Sequence, residues 1–296
     1  MMCFGRVLSF LFVVFCLFAP SVTAKTSVET LARYPFYLAE KNGVKIYLLG
    51  SMHLGKPADR FNDKIITALK TSTTLVLELA PSELNSIDPL RFICDTPCLK
   101  DQIGDRLFNM IIKKYPAITL MPYMDRMPAW YIGSLLSVFD YIDEGILPAY
   151  GVESMLEKHA QKITIVGLES ADEQIEAMTS ISAKAQLELL EDYLLIDKTE
   201  MKRYINELRE VFLDGNADRM LKWYLKTRID QIASQETIDE FNEKLIFKRN
   251  QRFLQRLKTH INPKLPIFVA IGALHLGGDK GVLELLRKEG YKIKRL

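Results

Sequence analysis

Histidine and cysteine are scarce in this chain, with four of each in 296 residues, and each scarcity excludes something. Two of the cysteines, Cys3 and Cys16, fall in the first twenty residues, so no thiolate set remains for a four-cysteine metal site. Net charge is nearly absent too: Lys and Arg exceed Asp and Glu by only +2, and no basic patch with interleaved aromatics occurs. Nucleic acid and other polyanions are therefore excluded as partners on composition. There is no G-x-S-x-G elbow and no glycine-rich phosphate loop. No apolar run beyond the N-terminal segment is long enough to span a membrane. What is present is an ordinary globular balance, 48% apolar and 26% charged residues, in a chain long enough to bury a sizeable core.

The first residues read as an export signal. Arg6 supplies the positive start, Val7 through Ala19 a short apolar stretch, and Val22-Thr23-Ala24 the small residues before a cleavage point. Residues 1–24 are expected to leave as a signal peptide, with cleavage between Ala24 and Lys25. An uncleaved anchor is the alternative, and Phe15 before Cys16 argues against a lipid-attachment box. The remaining chain, 25–296, is expected to be one exported domain, periplasmic or secreted, with no further membrane span. Cys94 and Cys98 are then the two cysteines left, and in an oxidising space so close a pair is expected to form a disulfide; free thiols are the competitor.

One hexapeptide occurs twice. Gly50-Ser51-Met52-His53-Leu54-Gly55 and Gly272-Ala273-Leu274-His275-Leu276-Gly277 both read G-x-x-H-L-G, and each follows an apolar run. Those runs, Val44 to Leu49 and Ile267 to Ile271, read as buried strands that end at a glycine. Gly50 and Gly272 are expected to permit a sharp exit from the strand and close approach of a ligand. Each histidine would sit just past a strand's carboxyl end, where open α/β sheets gather their ligands.

The rest of the chain fits around these strands. Asn42-Gly43 signals a hairpin into the first of them. A helix opening at Pro57-Ala58-Asp59 carries Phe61, Ile65, Ile66 and Leu69, and a strand from Thr73 to Leu79 follows, parallel to the first, with Glu78 near its exit. Helices are expected around Ile103 to Ile112, at Trp130 to Phe139, and from Ser154 to Gln161. A third strand, Ile163 to Val166, closes on Gly167-Leu168-Glu169-Ser170. A long helical region then runs from Asp172 to about Leu257, broken near Asp197, Asp214-Gly215-Asn216 and Ser234, and ends at Pro263 and Pro266. After the fourth strand come a closing helix, Gly281 to Glu289, and an edge strand, Tyr291 to Ile293. The expected class is α/β (mixed α+β): a central, largely parallel sheet flanked by helices, with a large helical insertion between the third and fourth core strands.

If the four strands lie side by side, His53, Glu78, Glu169 and His275 converge on one sheet edge. Two imidazoles and a carboxylate suit a divalent transition metal with an open position, and such a metal makes hydroxide available near neutral pH. The other glutamate would act as general base. The bland alternatives are specific. Glu78 would be satisfied by a salt bridge, Glu169 could cap the helix starting near Asp172, and His159 and His260 read as surface residues.

The paired G-x-x-H motifs, Leu77-Glu78, Tyr150-Gly151-Val152-Glu153, Gly167-Leu168-Glu169-Ser170 and Lys248-Arg249-Asn250 together resemble the TraB/GumN (TraB/PrgY/GumN) family over nearly the whole mature chain. That family is related to the Tiki proteins, membrane-attached, divalent-metal-dependent proteases that cut Wnt ligands. It also shares a sheet core with erythromycin-esterase-like and ChaN-like proteins. The resemblance implies that His53, His275 and Glu78 hold the metal, with Glu78, Glu169, Arg249 and Asn250 as the accompanying catalytic residues. Arg249 would bind a substrate carboxylate or an oxyanion, a surface helix position being its alternative. Relatives often carry Asp where this chain has Glu153, so Glu153 stays outside the strongest set. The reading that follows is an exported metal-dependent hydrolase, using zinc, manganese or cobalt and cutting peptide bonds. The alternative is a non-catalytic envelope protein that binds or sequesters a peptide signal, haem or another small ligand.

Overall fold

A computed structural model describes residues 33–296 apart from 87, 89–91, 161, 228–232 and 263. The segment expected to be a signal peptide, with its expected cleavage point between Ala24 and Lys25, lies outside the described residues, as do Gln161 and Pro263.

Alternating and continuous apolar runs build one six-stranded sheet. Its strands are β1 (Phe36–Lys41), β2 (Val44–Ser51), β3 (Thr74–Leu77), β4 (Thr164–Gly167), β5 (Ile267–Gly272) and β6 (Lys292–Arg295), in the spatial order β4-β3-β5-β2-β1-β6. The β1–β2 hairpin turns at Asn42 and Gly43, both with positive φ (50° and 83°), the left-handed pair that an Asn-Gly hairpin requires. From β4 to β2 the four strands are mutually parallel: Leu77 pairs Gly167 on one side and Ala270 on the other, and Ser51 pairs Gly272. The sheet is thus mixed but mostly parallel, an α/β arrangement, and β6 is an edge strand as its sequence suggests. Parallel strands buried on both faces explain why these runs are continuously apolar.

Successive residues point to opposite faces. Leu75, Leu77, Phe268 and Ala270 face α1 (Asp63–Thr71) and α5 (Val152–His159), meeting Ile65, Leu69, Val152 and Leu156. Val76, Val269 and Ile271 face the other way, onto Phe253 and Leu257 of α11 (Lys248–His260) and Leu283 and Leu286 of α12 (Val282–Lys288). Between β3 and β4 the chain also forms α2 (Pro81–Ser86), α3 (Leu99–Lys114) and α4 (Ala129–Asp143). Between β4 and β5 it forms α6 (Ala171–Thr179), α7 (Ala183–Leu195), α8 (Lys198–Leu213), α9 (Ala217–Lys226) and α10 (Gln235–Asn242), then a π-helical turn, Glu243–Phe247, that runs into α11. This is the helical insertion expected between the third and fourth core strands, and α3, α4, α6 and α7 bury a core of their own. No helix among the described residues is long and apolar enough to cross a membrane.

Most elements shift by a few residues from expectation, and three of the differences have a local cause or bear on the site. The helix placed at Pro57 begins instead at Asp63: Asp59 is used in a turn, accepting the Lys56 N–H (2.7 Å) and pairing with Arg209, while Asn62 caps the helix through Ile65 N–H. The second core strand stops at Leu77, so Glu78 stands just beyond it rather than inside. The helical region has a further break at Ser180–Ser182, where Ser182 caps α7 and donates its own N–H to Glu240.

Cys94 and Cys98 form the expected disulfide, and their N–H groups dock on the Arg126 and Asp125 carbonyls. Their separation is only four residues, so the bond closes a very short loop. In the chain-entropy account, removing it costs about 2 kcal/mol. The Cys94→Ser/Cys98→Ser variant should show a correspondingly lower urea midpoint, and reductant should lower the wild type to match.

Candidate active site at the strand ends

Adjacent parallel strands place the four polar groups on one edge: His53 after β2, His275 after β5, Glu78 after β3 and Glu169 after β4. At their centre is Arg249, from the first turn of α11, only 6% exposed. Its Nη2 donates to Glu78 Oε2 (2.5 Å) and also to Glu169 Oε1, and its Nε donates to Glu169 Oε2 (3.1 Å). Nη1 donates to the Leu245 carbonyl (2.9 Å) and lies 3.4 Å from His275 Nε2. The guanidinium is therefore spent on two protein carboxylates, a carbonyl and the His275 imidazole, which excludes the surface-arginine alternative. In this arrangement its fork does not face outward to a substrate carboxylate.

Glu169 does not cap a helix. Ser170 caps α6 in a capping box with Glu173, and Glu169 turns inward to Arg249, to Arg252 (3.3 Å) and to Gln174, which donates from Nε2 (3.2 Å). Two carboxylates sharing one cation are driven apart in acidity. Burial raises Glu78, but Arg249, then His275 and His53, and the Gly272 N–H outweigh it and bring its pKa to about 2. Burial raises Glu169 more than Arg249 lowers it, and the Glu78 charge adds to the rise.

The two histidines are oriented in the same manner. Asn250, fully buried, donates its Nδ2–H to the Lys280 carbonyl (2.9 Å), which turns Oδ1 toward His275 Nδ1 (2.6 Å). Oδ1 can only accept, so His275 carries its proton on Nδ1 and leaves Nε2 unprotonated, accepting from the Arg249 Nη1–H (3.4 Å). Burial, opposed by Glu78 but helped by Arg249 and His53, lowers the His275 pKa to about 4, so the ring is neutral at pH 7. His53 Nδ1 is held by Glu153 Oε1 (2.9 Å). Burial raises Glu153, but the charge and hydrogen bond of His53 and the nearby Ser51 hydroxyl bring its pKa below the usual value. Glu153 Oε2 and Ser51 Oγ are buried without a hydrogen-bond partner at bonding distance among the described residues.

Neither Gly50 nor Gly272 has positive φ, so the expected conformational role is not what these glycines supply. They supply room. A Cβ on Gly272 would lie 3.1 Å from Glu78 Oε1 and 3.3 Å from His275 Cδ2. A Cβ on Gly50 would meet Ala273 and Pro35 Cβ at 3.0 Å.

A cavity of about 40 Å³, lined by His53, Glu78, Glu153, Ser154, Glu157 and Gln174 with Leu77, Leu79 and Leu84, opens beside these groups. Among the described residues no three His, Cys, Asp or Glu side chains gather closely enough to enclose a metal ion as they stand. The donor chemistry nonetheless fits one. The unprotonated Nε2 of His275 and the ionised Oε1 of Glu78 face each other at 3.6 Å, and each histidine has its Nδ1 anchored, as metal-ligating imidazoles do.

The sequence-derived residues His53, Glu78, Glu169, Arg249, Asn250 and His275 are thus brought together around one edge. His159 is exposed and His260 partly so, away from this cavity. Reasoning from sequence set aside Glu153, although its Tyr-Gly-Val-Glu motif had marked it, and Ser51, which stands beside His53 in the repeated motif but in no nucleophile elbow; it overlooked Glu157 and Gln174, which stand in no motif that signals chemistry.

The zebrafish (Danio rerio) metalloprotease TIKI1 is 36% identical over 67 residues, 22% of this chain but only 14% of the relative. Human (Homo sapiens) metalloprotease TIKI1 is 37% identical over 67 residues, 22% of this chain and 13% of the relative. The chain therefore covers about one seventh of the length of these metalloproteases. The uncharacterized protein YbaP of Escherichia coli K12 is 23% identical over 248 residues, 81% of this chain and 87% of the relative. No solved structure matches. The model of the TraB/PrgY/gumN family matches residues 35–295, and the chain belongs to that family.

Proposed function

We propose that the protein is an exported metal-dependent hydrolase acting on peptide bonds. The observation that carries this reading is the facing pair of unprotonated His275 Nε2 and ionised Glu78 Oε1, each fixed from behind. The partial likeness to metalloproteases supports the same class. His53 and His275, through Nε2, and Glu78 would hold a divalent ion; zinc, manganese and cobalt all suit two imidazoles and a carboxylate. When bound, the ion would supply a Lewis acid and acidify water.

The chain's own groups have separate tasks. Asn250 and Glu153 set the tautomers of the two imidazoles. Arg249 keeps Glu78 ionised at neutral pH and binds it to Glu169. The Gly272 N–H (2.6 Å to Glu78 Oε1) fixes that carboxylate against the end of β5.

The purified mature chain, incubated with zinc, manganese or cobalt and freed of excess, should retain about one ion by elemental analysis. His53→Ala and His275→Ala should each lose it, and Asn250→Ala should bind roughly 10–100-fold more weakly. A wild type that retains no ion with any of the three would remove the hydrolase reading. A peptide or small-ligand binder working at the same strand ends would then be the reading to pursue, recognisable by binding that persists in chelator.

A further inference from the structure

One titratable group of the cavity has no part in the scheme above. Glu157 stands one turn beyond Glu153 on α5, so the two carboxylates share a helix face. It lines the same cavity as His53 from the exit of β2, Glu78 from the exit of β3 and Glu153 from its own helix, while neutral Gln174 faces them from α6. No lysine or arginine is among the described lining residues, and Leu77, Leu79 and Leu84 form an apolar wall. Every other carboxylate nearby is committed: Glu78 to Arg249, Glu153 to His53, Glu169 to Arg249 and Arg252. No hydrogen bond or ion pair engages the Glu157 carboxyl among the described residues.

We propose that Glu157 is the proton donor of this site, protonating the leaving nitrogen of the substrate amide. The inference rests on the hydrolase reading. In the step, water's oxygen forms the new bond to the carbonyl carbon. The C–N bond breaks with its electron pair going to nitrogen, nitrogen takes the Glu157 proton, and the proton released by water restores the carboxyl. Glu78 is unsuited to this: a carboxyl with a pKa of about 2 holds no proton at working pH. Burial and the charge of Glu153 push Glu157 the other way, above the ordinary glutamate value. Because the acid form acts, activity falls as pH rises through the Glu157 pKa.

The test needs two readouts. The first is a pH titration by carbon NMR of the metal-free chain labelled at its glutamate carboxyls. One resonance, missing in Glu157→Gln, should titrate above the ordinary value of about 4.3 and move down in Glu153→Gln. The second is hydrolysis of casein by the zinc-loaded protein. Glu157→Gln should retain its metal and its unfolding midpoint, lose about 10²–10⁴-fold in kcat, and lose the alkaline limb of the pH profile. Titration at the ordinary value, indifferent to Glu153→Gln, would overturn the assignment. So would a Glu157→Gln protein as active as an active wild type with an unchanged pH profile. A metal-loaded wild type that cuts nothing would instead overturn the hydrolase reading, and this assignment with it.

Discussion

Replacing Arg249 with methionine should destabilise the protein by about 3–5 kcal/mol at pH 7, the usual cost of removing one partner from a buried ionic cluster. The substitution keeps an unbranched apolar side chain but removes the guanidinium, which lies over the Phe253 ring, and leaves Glu78 and Glu169 buried without their shared cation. The loss should depend on pH in a definite direction. In the wild type, Glu78 is depressed below its unfolded pKa, so its contribution is present above about pH 4.5 and fades as pH falls toward 2. Glu169 is raised, so its contribution has the opposite sense, present at low pH and lost as pH rises through its folded pKa. Without Arg249 both carboxyls would be raised, and both would favour the folded state only when protonated. The deficit of Arg249→Met should therefore be largest at pH 7 and shrink as pH falls below about 5.

Denaturant unfolding at pH 7 and pH 4.5 measures this directly. Adding Glu169→Gln to Arg249→Met should recover part of the loss, because one buried charge is removed with its partner. An equal deficit at both pH values, with no recovery in the double variant, would mean that packing and not charge pairing is what Arg249 contributes.

Gly151→Ala is expected to cost about 3 kcal/mol, the upper part of the range for overpacking, and to impair the site as well. The added Cβ would sit 2.1 Å from the His53 carbonyl oxygen and 2.5 Å from its carbon, both backbone atoms that cannot rotate away. Backbone conformation is not the obstacle, since Gly151 has φ −61° and ψ 156°, which alanine accepts readily. The segment carrying His53 must move, and it is tied to its neighbour by the Val152 N–H to Met52 carbonyl bond (3.0 Å) and the Gly55–Leu147 bridge. Gly133→Ala makes the control. It lies inside α4, where a new Cβ would meet only Leu190 Cδ1 at 3.8 Å, so helix propensity should make that variant neutral or up to about 1 kcal/mol more stable. Thermal unfolding of both variants, with metal retention of Gly151→Ala, checks the pair. A Gly151→Ala protein that keeps wild-type stability and metal would show that the two loops yield at little cost.

How far the residues could be read in advance follows from what each signal depends on. The core strands and the Asn42-Gly43 turn announce themselves locally, through apolar runs and an obligatory left-handed pair, and they stand within a few residues of expectation. The histidines were legible because one motif is repeated. Arg249 was not legible as buried: its neighbours Lys248 and Gln251 are polar, and only the packing of α11 against the strand ends turns it inward. Glu153 was marked only by its motif, and Glu157 was harder still, since a carboxylate on a short helix usually faces water. Their value depends on α5 lying across the exit of β2, a tertiary fact with no local trace. Helix starts slipped where two polar residues competed for the same task, as with Asp59 and Asn62.

The position of β5 has a consequence for how the protein acquires its chemistry. This strand is the fifth of six in chain order, made after β2, β3 and β4, yet it lies in the middle of the sheet, between β3 and β2. Until it inserts, β2 and β3 have no contact through the ladder, and His53 and Glu78 have nothing to hold them at a common edge. A chain stopped anywhere before Ile267 loses more than one imidazole; it loses the spacer that sets the distance between the others. Such late, long-range pairing is slow and all-or-none. Competence for the proposed chemistry would therefore switch on only once β5 and the His275 turn have been made and threaded into the sheet, and products stopping short of them would be inert.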